Sequence, residues 1–418
     1  MDRNDRAVTA FAMLGHAVFH TYELVIPIFV VSWLEAFSTT PAFLGVIVGA
    51  SYALIGVGAL PTGLLADRVR SKRLILACLL GMGGAFGLVA AAPTIGVLTV
   101  GLLVWGAAAS LYHPAGLALL SRGTKERGTA FAYHGVAGNV GVATGPLLAA
   151  VLLAFVGWRT VAALLLVPVL LAAVVGARLE FDETAGTSAR GADDATAGEG
   201  PHGLAAFLAG SRRLFTVGFG LVFAIGILYG VSYRATFTFL PDILATLPLL
   251  DPITFVGRSF EPSQYVYSGL LLVGGFGQYV GGKLVDRARL ETVLVGGYVA
   301  LAAVALAFVP STKAGLAPLL VVVGVLGFLT FMIAPINQEA ISTYTPADAR
   351  GLSFGYTYTA IFGVGALGSS LAGLILTRST PTALFVVVAA CAVIAAVIGG
   401  TLRRRSPRRP RDGVTADD

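Results

Sequence analysis

Histidines are scarce in this chain and stand where a titratable group is costly. Four of the five lie inside long apolar runs, and such a group in hydrocarbon is expensive unless it faces a bundle interior or a watery cavity. His16, His20 and Glu23 follow one another at i, i+4 and i+7, which sets all three on one stripe of a helix. Imidazole titrates near about pH 6.5, so His16, His20, His113 and His134 together with the Glu23 carboxylate could take up and release protons. Interhelical hydrogen bonding is the plainer use of any single histidine; the grouping with Glu23 favours a functional role. Two imidazoles at helical spacing and a carboxylate could also ligate a transition metal. No His-rich loop accompanies them, however, and the aromatic and aliphatic setting suits an organic molecule better, so neither a metal nor a cofactor is expected.

Three further polar groups interrupt apolar runs. Arg234 follows Tyr229 and Tyr233 and precedes Phe237, close to the end of its run. Snorkelling to the interface is the simpler expectation for it; turned inward, it would be a fixed cation for an anionic or phosphonate-like group, or the partner of a carboxylate. Asn337 and Gln338, in Pro335-Ile-Asn337-Gln338-Glu339, could contact a substrate, whereas Glu339 is expected to be wet. Pro114 and Pro335 lack an amide donor and are expected to kink their helices.

The elements that must hold these groups follow from composition. Of 418 residues, 56% are hydrophobic and 12% charged, against roughly 25% charged in an ordinary soluble protein. A water-soluble domain and a disordered chain are both excluded. Apolar runs of about 18 to 25 residues, enough to cross about 30 Å of hydrocarbon, make this an all-α multi-pass membrane protein. Twelve spans are expected, at 8–33, 42–66, 74–92, 95–120, 129–154, 159–177, 214–240, 264–285, 292–309, 315–341, 352–376 and 382–401. The first is read as a span, not a removed signal peptide, because no small-residue cleavage site follows it.

These spans divide the chain into a six-helix bundle over 1–177, a linker over 178–213, a second six-helix bundle over 214–401 and a basic tail over 402–418. The linker contains ETAGTSARGADDATAGEGPHG, too poor in apolar surface to build a core. The stretch 241–263 mixes prolines with apolar residues and is expected to be partly ordered. Lys and Arg are asymmetric: only Arg159, Arg258, Lys313 and Arg378 fall on one side of the membrane, while all the rest except Arg234 fall on the other. Basic loops stay cytoplasmic, which puts both termini and the linker inside the cell, in the cell membrane. The net charge of +6 is therefore an orientation signal and not a nucleic-acid footprint.

Gly63-Leu-Leu-Ala-Asp67-Arg68-Val-Arg70 recurs as Gly282-Lys-Leu-Val-Asp286-Arg287-Ala-Arg289 at the same place in the second half. A carboxylate at such a helix end can hold the N-terminus of a neighbouring helix or pair with a loop arginine, so Gly63, Asp67, Arg68, Gly282, Asp286 and Arg287 are expected to gate. Gly138, Gly141 and Gly145 share a face that permits close helix approach.

Six spans plus six, a central loop and this paired element resemble the major facilitator superfamily across about residues 8–401. Gly15-His16 to Pro27, Tyr112-His113-Pro114 and Gly138-Asn139-Val-Gly141 to Gly145-Pro146 are similar to the fosmidomycin resistance proteins within it. The resemblance implies twelve transmembrane helices in two homologous bundles, alternating access about a central site, and Asn139 as a further cavity residue. The Gly141-x-x-x-Gly145-Pro146 element, similar to one associated with antiporters, implies export. Where the family often has an arginine in span four, Leu102 stands ahead of Gly106, so coupling through that arginine is not carried over.

The expected function is a secondary active transporter, acting as a monomer in the lipid bilayer and exporting a small organic molecule against protons. An importer or an uncoupled facilitator is the alternative within the fold. A membrane enzyme or sensor finds no support, because the sequence holds no Walker element, nucleophile elbow or metalloprotease helix.

Overall fold

The structure, a computed structural model, describes residues 1–66, 68–188, 204–346 and 350–405. The first half comprises α1 (Arg3–Ala36), α2 (Pro41–Ala66), α3 (Ser71–Ala90), α4 in two segments (Ile95–Ala109 and Tyr112–Gly123), α5 (Arg127–Leu153) and α6 in two segments (Trp158–Leu164 and Leu166–Arg178). The second comprises α7 (Val217–Ala245), α8 (Pro262–Arg287), α9 (Leu290–Ala314), α10 (Leu316–Tyr344), α11 (Arg350–Tyr358, a π turn over Thr359–Val364, and Leu367–Arg378) and α12 (Pro381–Arg405). Eleven of these helices are long and apolar enough to cross a membrane. The twelfth, α8, has the length at 26 residues but is less apolar, because Gln264, Ser268, Gln278 and six glycines dilute it. Large apolar side chains such as Leu171, Leu272, Val321 and Val397 lie exposed on the outside, the surface a lipid solvent requires.

The repeat seen in the sequence is a repeat of packing. In the first half α1 lies on α5, α2 on α4, α3 on α4 and α3 on α6; in the second α7 lies on α11, α8 on α10, α9 on α10 and α9 on α12. The halves meet through the pseudo-symmetric pairs α2–α11 and α8–α5 and through α1–α7. Absence of side chains permits the closest of these approaches. A Cβ at Gly141 of α5 would run into the Ala17 carbonyl of α1, and one at Gly56 of α2 into the backbone of Gly363 in α11. In a membrane such contact supplies the packing that water expulsion cannot.

The hydrogen bonds that join the halves begin at the end opposite the chain termini. There Ala42 N donates to Thr377 Oγ1 at 2.8 Å, Ser370 Oγ to the Gly45 carbonyl at 3.4 Å and Tyr265 to the Ala150 carbonyl at 3.4 Å. The stretch 241–263 supports the same end. α7 runs through Pro241 to Ala245, and a hairpin pairing Ile253–Phe255 with Arg258–Phe260 turns at Val256 and Gly257, both at positive φ. Its Phe260 packs on Phe155 of the first half, and Arg258 lies over the Phe155 ring.

At the other end two carboxylates, Asp5 and Glu183, act as clasps within the first half. Asp5 accepts from the backbone amides of Lys125 and Glu126 at 3.0 Å each, at the start of α5. Glu183 accepts from Ser71 N, the first residue of α3, at 2.7 Å and pairs with Arg70 at 3.0 Å. The linker expectation is thereby narrowed: Glu183 anchors its beginning, Leu204–Leu214 is helical, and 189–203 lie outside the described residues. The helices around the two prolines differ. Pro114 is preceded by the break at Ser110 and Leu111, where its ring would meet the carbonyl four residues back, while α10 passes through Pro335 unbroken.

Replacing Gly141 with Val pushes two methyl groups against the α1 backbone and is expected to cost about 1–3 kcal/mol by overpacking. A lowered melting temperature of the detergent-purified protein is the expected result, whereas the same change at Gly275, where a Cβ meets nothing within 4 Å, should be milder.

Candidate transport site

The stripe on α1 points at the meeting place of α4, α5, α7 and α11. Gly138 leaves the space that the His16 ring fills, and His134, one turn earlier on α5, stacks on that ring with centroids 3.8 Å apart. The break in α4 starts a new helical segment at Tyr112 and so sets Tyr112 and His113 beside the same imidazoles. His16 to His113 is 5.4 Å between centroids, and His20 to His113 is 5.7 Å. His16, His20, Glu23, His113 and His134 therefore form one cluster, as their types suggested.

Hydrogen-bond direction fixes where most of the protons sit. A carbonyl only accepts, so His16 Nδ1 donates to the His134 carbonyl at 2.7 Å. His20 Nδ1 donates to Glu23 Oε2, also at 2.7 Å. Tyr112 spends its proton on the Ala12 carbonyl, so His134 Nε2 donates to the Tyr112 oxygen at 3.1 Å. His16 Nε2 and His20 Nε2 face each other at 3.0 Å. His113 Nε2 is buried and has no hydrogen-bond partner.

Arg234 reaches into this cluster from the other half. It is 4% exposed and ion-paired with Glu23, itself 2% exposed. The snorkelling expectation is thus overturned. α7 continues to Ala245, so Arg234 lies about 16 Å from that helix end at 1.5 Å per residue, too deep to reach the interface. Its guanidinium carbon sits 3.6 Å from the centre of the Tyr52 ring, with Tyr233 and Phe362 rings each at 5.3 Å, a cation–π cage that supplies some of the solvation water would give. Tyr52 also donates to the Glu23 carbonyl at 2.9 Å. On α11 the π turn brings Tyr358 and Phe362 against His113, with ring centroids 5.0 and 6.2 Å away; such turns often accompany functional sites.

The remaining expected residues lie apart. Asn139 is half-buried on α5 and takes no part in this network among the described residues. Asn337 is buried and hydrogen-bonded through Nδ2 to Tyr298 at 2.9 Å, tying α10 to α9, while Gln338 is exposed. Of the repeated loop element, Gly63 and Gly282 are half-buried, Arg68, Asp286 and Arg287 are exposed, and Asp67 lies outside the described residues. Among the described residues neither Asp286 nor Arg287 pairs with another side chain. Tyr52, Tyr358 and Phe362 belong to the site without having been singled out in the sequence. Tyr52, next to Ser51, puts a phenol in a long apolar run, a signal that was present, whereas nothing local distinguishes Phe362.

A family model described as Major Facilitator Superfamily matches residues 9–365 and, again, 259–418. The chain belongs to this superfamily. It is a multi-pass membrane transporter and not an enzyme, and it acts on small molecules within the membrane. No curated protein matches it. Among solved structures this superfamily member is similar to a bacterial homolog of the human lysosomal transporter Spinster, in an inward-facing and unoccupied conformation. Identity there is 14% and the TM-score 0.76, over 97% of this chain and 98% of that one. It is also similar to the nucleoside transporter NupG, at 13% identity and a TM-score of 0.74 over 96% and 100% of the two chains. A peptide transporter, POT, in complex with sulfate gives 14% and 0.74 over 97% and 95%. At these identities the likeness is one of fold.

Removing one partner of a buried ion pair leaves the other charge stranded, at about 3–5 kcal/mol. Glu23→Leu is accordingly expected to lower the unfolding free energy in detergent by that amount, and Glu23→Leu with Arg234→Met to recover most of it. Equal destabilisation by the single and double variants would show that the pair does not act as a unit.

Proposed function

We propose that this transporter exports a small organic molecule in exchange for protons, by alternating access, with Glu23 and Arg234 as the coupling pair. The observation that carries the reading is that the ion pair joins the two halves and is continuous with the imidazoles. Glu23 of α1 holds Arg234 of α7 through one oxygen and His20 through the other. A proton passed from His20 to Glu23 would neutralise the carboxylate, weaken the α1–α7 link and leave Arg234 held only by its aromatic cage. The halves could then part at their junction, and loss of that proton on the other side would draw them together again.

Several features support the finer points. The basic loops favour termini in the cytoplasm. The junctions at Ala42–Thr377 and Ala150–Tyr265 then lie on the outer side, which favours an inward-facing state. Export is favoured by the Gly-x-x-x-Gly-Pro element of α5 and by the likeness of the first-half motifs to fosmidomycin resistance proteins. An organic substrate suits the aromatic surfaces of Phe19, Tyr233, Tyr358 and Phe362 that border the cluster. The whole site is built from one chain, so a monomer suffices.

The test is internal pH in proteoliposomes under an imposed proton gradient, challenged with hydrophobic cations, phosphonates, sugars and organic acids. A compound-dependent proton flux in the native protein, lost in a folded Glu23→Gln variant, is the expected result. Substrate movement without proton flux, or flux unchanged in the variant, would remove Glu23 from coupling and leave a facilitator.

A further inference from the structure

The two facing nitrogens of His16 and His20 pose a problem of charge. His16 gives its Nδ1 proton to the His134 carbonyl, and His20 gives its Nδ1 proton to the Glu23 carboxylate. In the neutral rings both Nε2 atoms are then bare electron pairs, 3.0 Å apart and aimed at each other. Two lone pairs at that distance repel unless a cation lies between them. A single shared proton would satisfy these two atoms. It would do nothing for His113, whose Nε2 is buried without any partner beside them.

We propose that His16, His20 and His113 form a binding site for one divalent first-row transition-metal ion of the Zn2+ or Co2+ type. Each imidazole offers one ligand atom, and the three atoms lie within 4.8 Å of one another. In a tetrahedral site with N–metal distances of about 2.0–2.1 Å, ligand nitrogens stand about 3.4 Å apart. Closing on an ion therefore takes a spread of a few tenths of an ångström between His16 and His20 and an inward movement of His113.

The surroundings match the outer shell of a metal site. Ligating imidazoles commonly donate their second N–H to a carboxylate or a backbone carbonyl, which fixes the tautomer and raises basicity. His20 does the first with Glu23, and His16 does the second with His134. His134 itself is excluded as a ligand, because its Nε2 is engaged with Tyr112 and its Nδ1 is not among the converging atoms. Three nitrogen ligands leave the fourth tetrahedral position to water or to an anionic group of a substrate, and nitrogen donors select Zn2+, Co2+, Ni2+ or Cu2+ over Mg2+ and Ca2+. Phe19 edge-on and Tyr358 face-on wall the His113 ring, giving the dry collar that disfavours hydrated ions.

The site is tested on the full-length protein purified in detergent, titrated with Co2+ or Zn2+ alone in the presence of excess Mg2+. One equivalent should bind, with the visible ligand-field bands of tetrahedral Co2+, and Zn2+ should displace it. His113→Gln should abolish these bands in protein that still folds, since that ring has no hydrogen bond at Nε2 to lose. Glu23→Gln should weaken binding about 10–100-fold, as removal of an outer-shell carboxylate does, and His202→Gln in the central segment should have no effect. No saturable binding by the native protein, or the same bands in folded His113→Gln, would overturn the proposal and leave a shared proton between His16 and His20. The readout is equilibrium binding, so a failure of proton coupling in proteoliposomes would not imitate either result.

Discussion

A carboxylate and a guanidinium taken out of water must find each other, and the arrangement of this transporter turns on where Glu23 and Arg234 do so. Each is nearly inaccessible, and neither could remain ionised in hydrocarbon alone. Their pairing fixes the rotation of α1, because the same stripe carries His16 and His20, and the depth of α7, because Arg234 must reach across from the other half. It also explains the company they keep. Tyr52 serves both partners, donating to the Glu23 carbonyl and lying under the guanidinium.

Such a pair binds the halves only if the helices around it come close, and closeness here is a matter of missing side chains. Gly138, Gly141 and Gly145 let α5 lie against α1 at His16, Ala17 and Thr21. Gly56 and Gly363 let α2 and α11 touch at the level of the π turn. The first set lies within one half and keeps α1 and its stripe fixed on α5, while the Gly56 contact crosses between the halves. Under the proposed exchange, small residues supply the packing where α2 meets α11, and the resistance to parting at α1 and α7 lies in one neutralisable pair.

The chain declares its membrane spans because hydrocarbon thickness leaves little freedom. Helix ends fall within a few residues of the expected ones, and α8, the least apolar, still has full length. The histidine cluster was equally legible, since titratable groups in apolar runs need a reason. Arg234 was misjudged for a definable cause: Pro241 reads as the close of α7, but the helix continues past it to Ala245. Among the described residues Asp5 and Glu183 make clasps at the termini-bearing end that were not singled out, because they sit in charged stretches where nothing local separates a clasp from a solvated side chain. Tyr358 and Phe362 depend on the register of a π turn, and an i to i+5 bond such as Gly365 to Ala360 leaves no periodicity to read.

The cluster is also lopsided, and this bears on how it would behave when the halves part. Every imidazole, with Glu23 and Tyr112, belongs to the first half; the second half supplies Arg234 and the aromatic faces of Tyr233, Tyr358 and Phe362. Separation would leave the bonds among His16, His134, Tyr112 and Ala12 intact, because both ends of each move together. It would strip Glu23 of its guanidinium and uncover the ring of His113. The imidazoles thus stand as one set on the first half, and the opposite half supplies the guanidinium beside Glu23 and the aromatic faces that seal His113. The proposed coupling would need no long relay through the protein, since the contact that carries the charge, Glu23 to Arg234, is also one of the contacts that join the halves.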